Sequence, residues 1–396
     1  MEVKPGYKQT EVGVIPEDWD VQNGEQITIL IGKGGSPRWQ GFEYSNTGML
    51  FVTSENVRDG FLDIREPKYL PLAFHEKLKR TKLQKHDILV NLVGASIGRS
   101  CQIQQELGEA NVNQAVAVFR VKDEHSSAFL ACCFQAPTTI ERILEMQVDA
   151  ARPNISLGDL RRFPIQLPPL PEQRAIATAL SDVDALLGGL DRLIAKKHDL
   201  KQAAMQQLLT GQTRLPGFHA EWEVKQLGDV ASLSKGTQLH SSEADDGGKF
   251  AHLNGGITPS NYTHKSNTAG NTIAISEGGN SCGFVQFMPE PYWCGGHCYS
   301  VMPKGVDNYF LYQALKAQQS AIMGLRVGSG LPNVQKTGLL AFKIHLPSSP
   351  PEQTAIASVL TDMDGELAAL EQRREKTRAL KQAIMQELLT GKTRLI

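Results

Sequence analysis

The sequence predicts an α+β protein: two mainly-β globules separated by two long antiparallel helices that form a coiled coil, in a pseudo-two-fold, circularly arranged repeat. Three observations predict it. A helical phrase occurs twice, half a chain apart, and each copy carries a stripe at alternating spacings of three and four. The stretches between consist of short apolar runs broken by Gly, Pro, Asn and Ser, the pattern of strands and turns.

The repeat is the firmest of these. PEQRAIATALSDVD, from Pro171, is answered by PEQTAIASVLTDMD, from Pro351. Residues 171–215 and 351–395 are identical at 25 of 45 positions and end in KQAAMQQLLTGQTRL and KQAIMQELLTGKTRL. Pro171 and Pro351 suit the first turn of a helix. Ser181 to Asp184 and Thr361 to Asp364 have the S/T-x-x-D form of a capping box, which predicts a second helix starting there. A helix from Asp182 to about Thr210 would have roughly 28 residues and span about 42 Å. The seam falls on Val183, Leu187, Leu190, Ile194, Lys197, Ala204 and Leu208, and on Met363, Leu367, Leu370, Arg374, Thr377, Ile384 and Leu388. Gly211 and Gly391 stop the helices. The Glu172-Gln173 and Glu352-Gln353 pairs read either as helix starts or as contacts to a partner.

The globules echo each other more faintly. IPEDWDV around Trp19 answers HAEWEV around Trp222, and AARPNISLGDLRRFPIQLPPLPEQ answers GSGLPNVQKTGLLAFKIHLPSSPPEQ. MLFVTSENVRDGFLD, HDILVNLVGASIGR and NTIAISEGGNSCGF read as strands with turns, TIERILEMQ and QSAIMGL as short helices. The divisions expected are a first globule at 1–168, a helical spacer at 169–212, a second globule at 213–348 and a second spacer at 349–396. TGQTRL runs into the second globule whereas TGKTRL ends the sequence, so the first globule begins as if it continued that ending. This is the circular arrangement, with the termini close together.

Composition bounds the function. Hydrophobic content of 41% and charged content of 21% describe a globular protein. No apolar run has membrane-spanning length and the N-terminal segment has no signal-peptide core, so a cytoplasmic protein without a membrane partner is expected. A formal net charge of −1 is unusual for a protein that neutralises phosphates alone. The six cysteines form neither a disulfide framework nor paired CxxC motifs. Cys294-Gly-Gly-His297-Cys298, with Cys282, invites a zinc reading, against which stands the simpler one of small buried residues near a Gly-rich turn. No metal site is assigned.

Chemical motifs are missing. GKT at Gly391–Thr393 lacks the glycine of a P-loop, since Gln386 stands there, and it follows a helix instead of a strand. The Gly-rich runs lack GxGxxG spacing, and there is no G-x-S-x-G, no HExxH and no Asn/Asp-Pro-Pro-aromatic tetrapeptide of the adenine methyltransferase kind. No catalytic residue is assigned. Two unlike globules on two alike helices suit a reader of two DNA half-sites better than an enzyme.

The arrangement resembles the specificity subunit of type I restriction–modification enzymes across the whole chain, on the two helical phrases and the openings at Trp19 and Trp222. The resemblance implies two target-recognition domains reading a bipartite sequence in double-stranded DNA, with the helices as a ruler. It implies two modification (adenine methyltransferase) subunits and restriction (translocase/nuclease) subunits as partners. S-adenosylmethionine, ATP and magnesium are then expected on those partners, with no cofactor in this chain. Base edges are read by Arg or Lys at guanine and Asn or Gln at adenine, from loops and element ends. The candidates are Lys33, Arg38, Asn56, Arg58, Ser96, Arg99, Asn113, Gln114, Arg152 and Asn154 in the first globule. In the second they are Lys235, Gln238, Asn254, Asn261, Asn280, His297, Arg326 and Asn333. The alternative is a structural adaptor of the same fold that binds no DNA.

Overall fold

A computed structural model describes residues 4–145, 154–240, 247–328 and 330–395. They form two compact units, residues 1–189 with 374–396, and residues 190–373. Each unit is built in the same way.

In the first unit, a four-stranded antiparallel sheet has the order Thr28–Lys33, Val116–Val121, Ile88–Asn91, Ser100–Gln102. Its central strands are buried on both faces. Alternate residues serve the two sides, as the period of two demands. Ile88, Val90, Ala117 and Phe119 face a core shared with Phe129, Leu130 and Phe134 of the helix Ser127–Gln135. Leu89, Cys101, Val116 and Val118 pack instead against Val52 and Val112 of a second sheet, Tyr69–Leu70, Met49–Val52, Ala110–Val112. A two-stranded ladder, Asp20–Asn23 with Pro164–Leu167, lies where the chain leaves for the first long helix.

The second unit repeats this plan. Its four-stranded sheet runs Ala231–Lys235, Cys298–Pro303, Thr272–Ser276, Val285–Met288, and its three-stranded sheet Asn261–Thr263, Phe250–Leu253, Trp293–Cys294. Trp222–Gln226 pairs with Lys343–Pro347. Ile273 and Ile275 face the helix Asn308–Ala317, while Ala274 faces Leu253, Tyr292, Cys294 and Cys298. The expected short helices are present as Pro137–Glu145 and Gln319–Met323. The fold is mixed α and β, with one domain plan built twice.

The long helices correct one expectation. They run unbroken over Leu170–Leu208 and Pro350–Leu389, 39 and 40 residues, so each spans about 58–60 Å and not 42 Å. No new helix starts at Ser181 or Thr361. The Thr361 hydroxyl donates to the carbonyl of Ala357 one turn back, the alternative to capping open to a threonine inside a helix. Ile176, Ala177 and Leu180 belong to the first core, and Ile356, Ala357 and Leu360 to the second. The helices end before Gly211 and Gly391, whose φ values of 72° and 71° are the left-handed stop that glycine adopts without penalty.

Within each unit the two helices supply segments that run antiparallel. Lys381 pairs with Asp184 at 2.6 Å in the first unit, and Lys201 with Asp364 at 2.5 Å in the second. These are repeat-equivalent residues. Leu190, Ile194, Leu208, Leu367 and Leu388 are buried, and Val183, Leu187, Met363, Leu370 and Ile384 half-buried. The end positions join the globular cores, Ile384 and Leu388 the first and Leu208 and Met363 the second.

The Glu-Gln pairs are buried and bound within the fold. Glu172 is buried and accepts two guanidinium hydrogen bonds from Arg394, at 2.7 and 2.8 Å, and the indole N–H of Trp19 at 3.1 Å. Glu352, also buried, accepts from Arg214 at 2.6 and 2.7 Å. Gln173 and Gln353 bind backbone: each accepts from a loop N–H (Ser126, Asp307) and donates to a proline carbonyl (Pro168, Pro347). So the TRL after each long helix clamps the start of the other. In the first unit the clamp closes the circle, because Arg394 also holds Asp18 and the Tyr7 hydroxyl donates to the carbonyl of Gly391. Among the described residues no helix is long and apolar enough to cross a membrane.

Candidate nucleic-acid interface

The strand ends of each unit converge, and most sequence candidates converge with them. In the first unit, Lys33 ends its strand and Gly34 then passes so close to the carbonyl of Val112 that no side chain fits there. The Gly34 N–H donates to the carbonyl of Asn113, and Leu92 N–H to that of Ala115. Val93 forms a bridge with Asn154. Asn113, Gln114, Gly94–Ser96 and Asn154 are thereby brought to one edge. Arg38 is exposed on the same loop as Lys33, beside Trp39, which is 93% exposed. Arg152 lies outside the described residues.

Beside this edge a cleft of about 670 Å³ is lined by Asn56, Arg58, Ser96 and Arg99, all read from sequence, with Ser54, Glu55, Asp63, Arg65, Glu66 and Lys68, which were not. Asn91 ties its walls together, donating to the Ser54 carbonyl and the Ser96 hydroxyl. The cations differ in freedom. Arg65 chelates Asp63 at 2.7 and 2.9 Å, and these bonds hold the Asp63 carboxyl at about 2. Lys68 is bound to Glu55 at 2.6 Å and lowers its pKa. Arg58 and Arg99 have carboxylates only at 3.8 and 3.5 Å, and both are partly exposed. These two arginines are the less tightly held cations of the cleft.

The second unit builds the same edge. Gly236 passes against the carbonyls of Cys294 and Gly295, and Gly278 forms a bridge with Asn333. Val334 N–H donates to the carbonyl of Glu277 as Ile155 N–H does to that of Leu92. Asn254 accepts from the backbone of His297 at 3.1 Å, and Gln238 lies against Gly296. Lys235, Gln238, Asn254, His297 and Asn333 therefore gather here, with Asn280 and Arg326 exposed on the flanking turns.

Some candidates also hold the fold. Asn56 is buried, accepting from the backbone and hydroxyl of Thr53 and donating to the carbonyl of Asp63. Asn113 accepts from Ala115 N–H. Asn261 sits 2.7 Å from Nδ1 of the buried His252. Conversely, sequence reasoning missed Glu277, which binds Lys235 at the centre of the second edge. Its position directly after an apolar strand and before Gly278-Gly279 was the available signal.

The zinc reading gathers no ligand set. Cys282 packs in the main core, while Cys294 and Cys298 belong to a separate cluster with Tyr292. Burial raises the thiol pKa of Cys101 to about 12. Among the described residues no group of three or more His, Cys, Asp or Glu side chains is placed to hold a metal ion.

Comparison with known proteins places this architecture. The family model described as the type I restriction modification DNA specificity domain matches residues 16–195 and again 219–379. The putative type I restriction enzyme MjaX specificity subunit of Methanocaldococcus jannaschii is 24% identical over 98% of this chain and 97% of its own length. A putative type I specificity subunit of Mycoplasma pneumoniae is 33% identical, but over 43% of this chain and 46% of its own. The crystal structure of the S subunit of a type I restriction–modification system from M. genitalium superposes with a TM-score of 0.66 at 18% identity, covering 98% of both chains. The chain thus belongs to the type I restriction–modification specificity subunit family, whose DNA specificity domain it carries twice.

Proposed function

We propose that this chain reads a bipartite target in double-stranded DNA, each unit reading one half and the long helices, paired as a coiled coil, setting the gap. The observation that carries the reading is that the same strand-end scaffold occurs at repeat-equivalent positions while the side chains on it differ. A fixed frame with variable tips is what two unlike half-sites require. The chain itself performs no catalysis on this reading. It docks two modification subunits, which bind S-adenosylmethionine and methylate adenine, and restriction subunits, which use ATP and magnesium, in the cytoplasm. Those partners supply phosphate contacts that a chain of net charge −1 lacks.

The test is duplex binding by the complex with its modification subunits, measured across salt concentration. Arg58→Ala and Arg99→Ala are each expected to lower affinity by roughly 1–3 kcal/mol for the cognate duplex, over a steep dependence on salt. Binding of partners with no salt-sensitive binding of DNA would favour the adaptor of the same fold.

A further inference from the structure

Glu277 is a carboxylate on a surface that would face a polyanion. Its side chain is 14% exposed, and Oε1 accepts from Lys235 Nζ at 2.7 Å and from the Tyr299 hydroxyl at 2.8 Å. Oε2 lies 3.7 Å from Nδ1 of His297, beyond hydrogen-bond range, so it keeps its capacity to accept. The backbone holds the residue between His297, whose carbonyl takes the Glu277 N–H, and Val334, whose N–H binds the Glu277 carbonyl. Lys235 and His297 are exposed around it.

The fold does not need an acid here. The equivalent position in the first unit is Leu92, a buried apolar residue in the same backbone pattern. Lys33, the counterpart of Lys235, has no carboxylate within ion-pair distance among the described residues. A negative charge amid DNA-facing loops repels phosphate, and it is useful where a base edge offers a donor. Fixed in place by Lys235 and Tyr299, it also rejects bases that present an acceptor there, such as guanine O6 or thymine O4.

We propose that Glu277 is a specificity-determining residue of the second unit, accepting a hydrogen bond from an exocyclic amino group, cytosine N4 or adenine N6, in its half-site. This deepens the proposed function and rests on it. The test maps methylated motifs in cells that carry the modification subunits with wild-type chain, Glu277→Ala, Glu277→Gln or Tyr299→Phe. Glu277→Ala is expected to relax one position of one block, lowering discrimination there by roughly ten- to a hundredfold. The other block stays unchanged, which also shows that the variant folds. Glu277→Gln, whose amide both donates and accepts, admits bases excluded before, and Tyr299→Phe keeps the original base. The identity of the relaxed base separates cytosine from adenine. A wild-type bipartite motif left intact by both Glu277 variants would overturn this inference alone, as would uniform loss of methylation in Glu277→Ala with an unaltered motif in Glu277→Gln. Absence of any bipartite motif with the wild-type chain would overturn the proposed function itself.

Discussion

Replacing Arg394 with alanine is expected to destabilise the first unit by about 3–5 kcal/mol, the usual consequence of leaving a buried carboxylate without its cation. Glu172 has a 5% exposed side chain and cannot recover its solvation from water. The Trp19 and Leu395 N–H groups remain to it, so the loss falls toward the lower end of that range. Because Arg394 also binds Asp18, the same change loosens the N-terminal segment from the C-terminal one. Glu172→Gln, which retains shape and can still accept, should cost less than Arg394→Ala. Arg214→Ala should act on the second unit through Glu352. Denaturant unfolding followed by a probe in each unit distinguishes these cases. An unchanged midpoint for Arg394→Ala would mean that the clamp does not hold the first unit together.

Inserting four residues after Asp191 and four after Glu371 is expected to widen the unspecified gap of the methylated target by one or two base pairs. Four helical residues add about 6 Å and rotate the helix by about 40°. Two base pairs add about 7 Å. The insertion points are repeat-equivalent and leave both ion pairs, Asp184–Lys381 and Lys201–Asp364, in register within their own units. Both specified blocks should stay the same, since no strand-end loop is altered. Motif mapping measures the gap directly, and an altered block with a constant gap would contradict the ruler.

Much of this was legible in the sequence because it rests on local pattern. The repeat, the three-and-four spacing, the strands at Ile88–Asn91 and Thr272–Ser276 and the terminal glycines each follow from nearby residues. What was not legible depends on distant partners. A capping box and an internal Ser or Thr look alike until the preceding carbonyl is seen to take the hydroxyl, as Ala357 does for Thr361. Glu172 reads as a helix-start acid, and only folding brings in Arg394 from 222 residues away. Asn56 and Asn261 have the chemistry of base readers, but tertiary hydrogen bonds already engage Asn56 and the Oδ1 of Asn261. Glu277 was missed for the opposite reason. A search for residues that attract DNA passes over acids, although an acid held by a lysine is one of the few groups able to select an amine.

A genome-wide map of N6-methyladenine in cells with and without this gene asks whether this chain selects the modified sequence. Removing the gene is expected to erase one bipartite motif, two short specified blocks around an unspecified gap, and restoring it to bring the motif back. An identical methylation pattern in the presence of expressed modification subunits would contradict the reading of this chain as the one that selects the sequence.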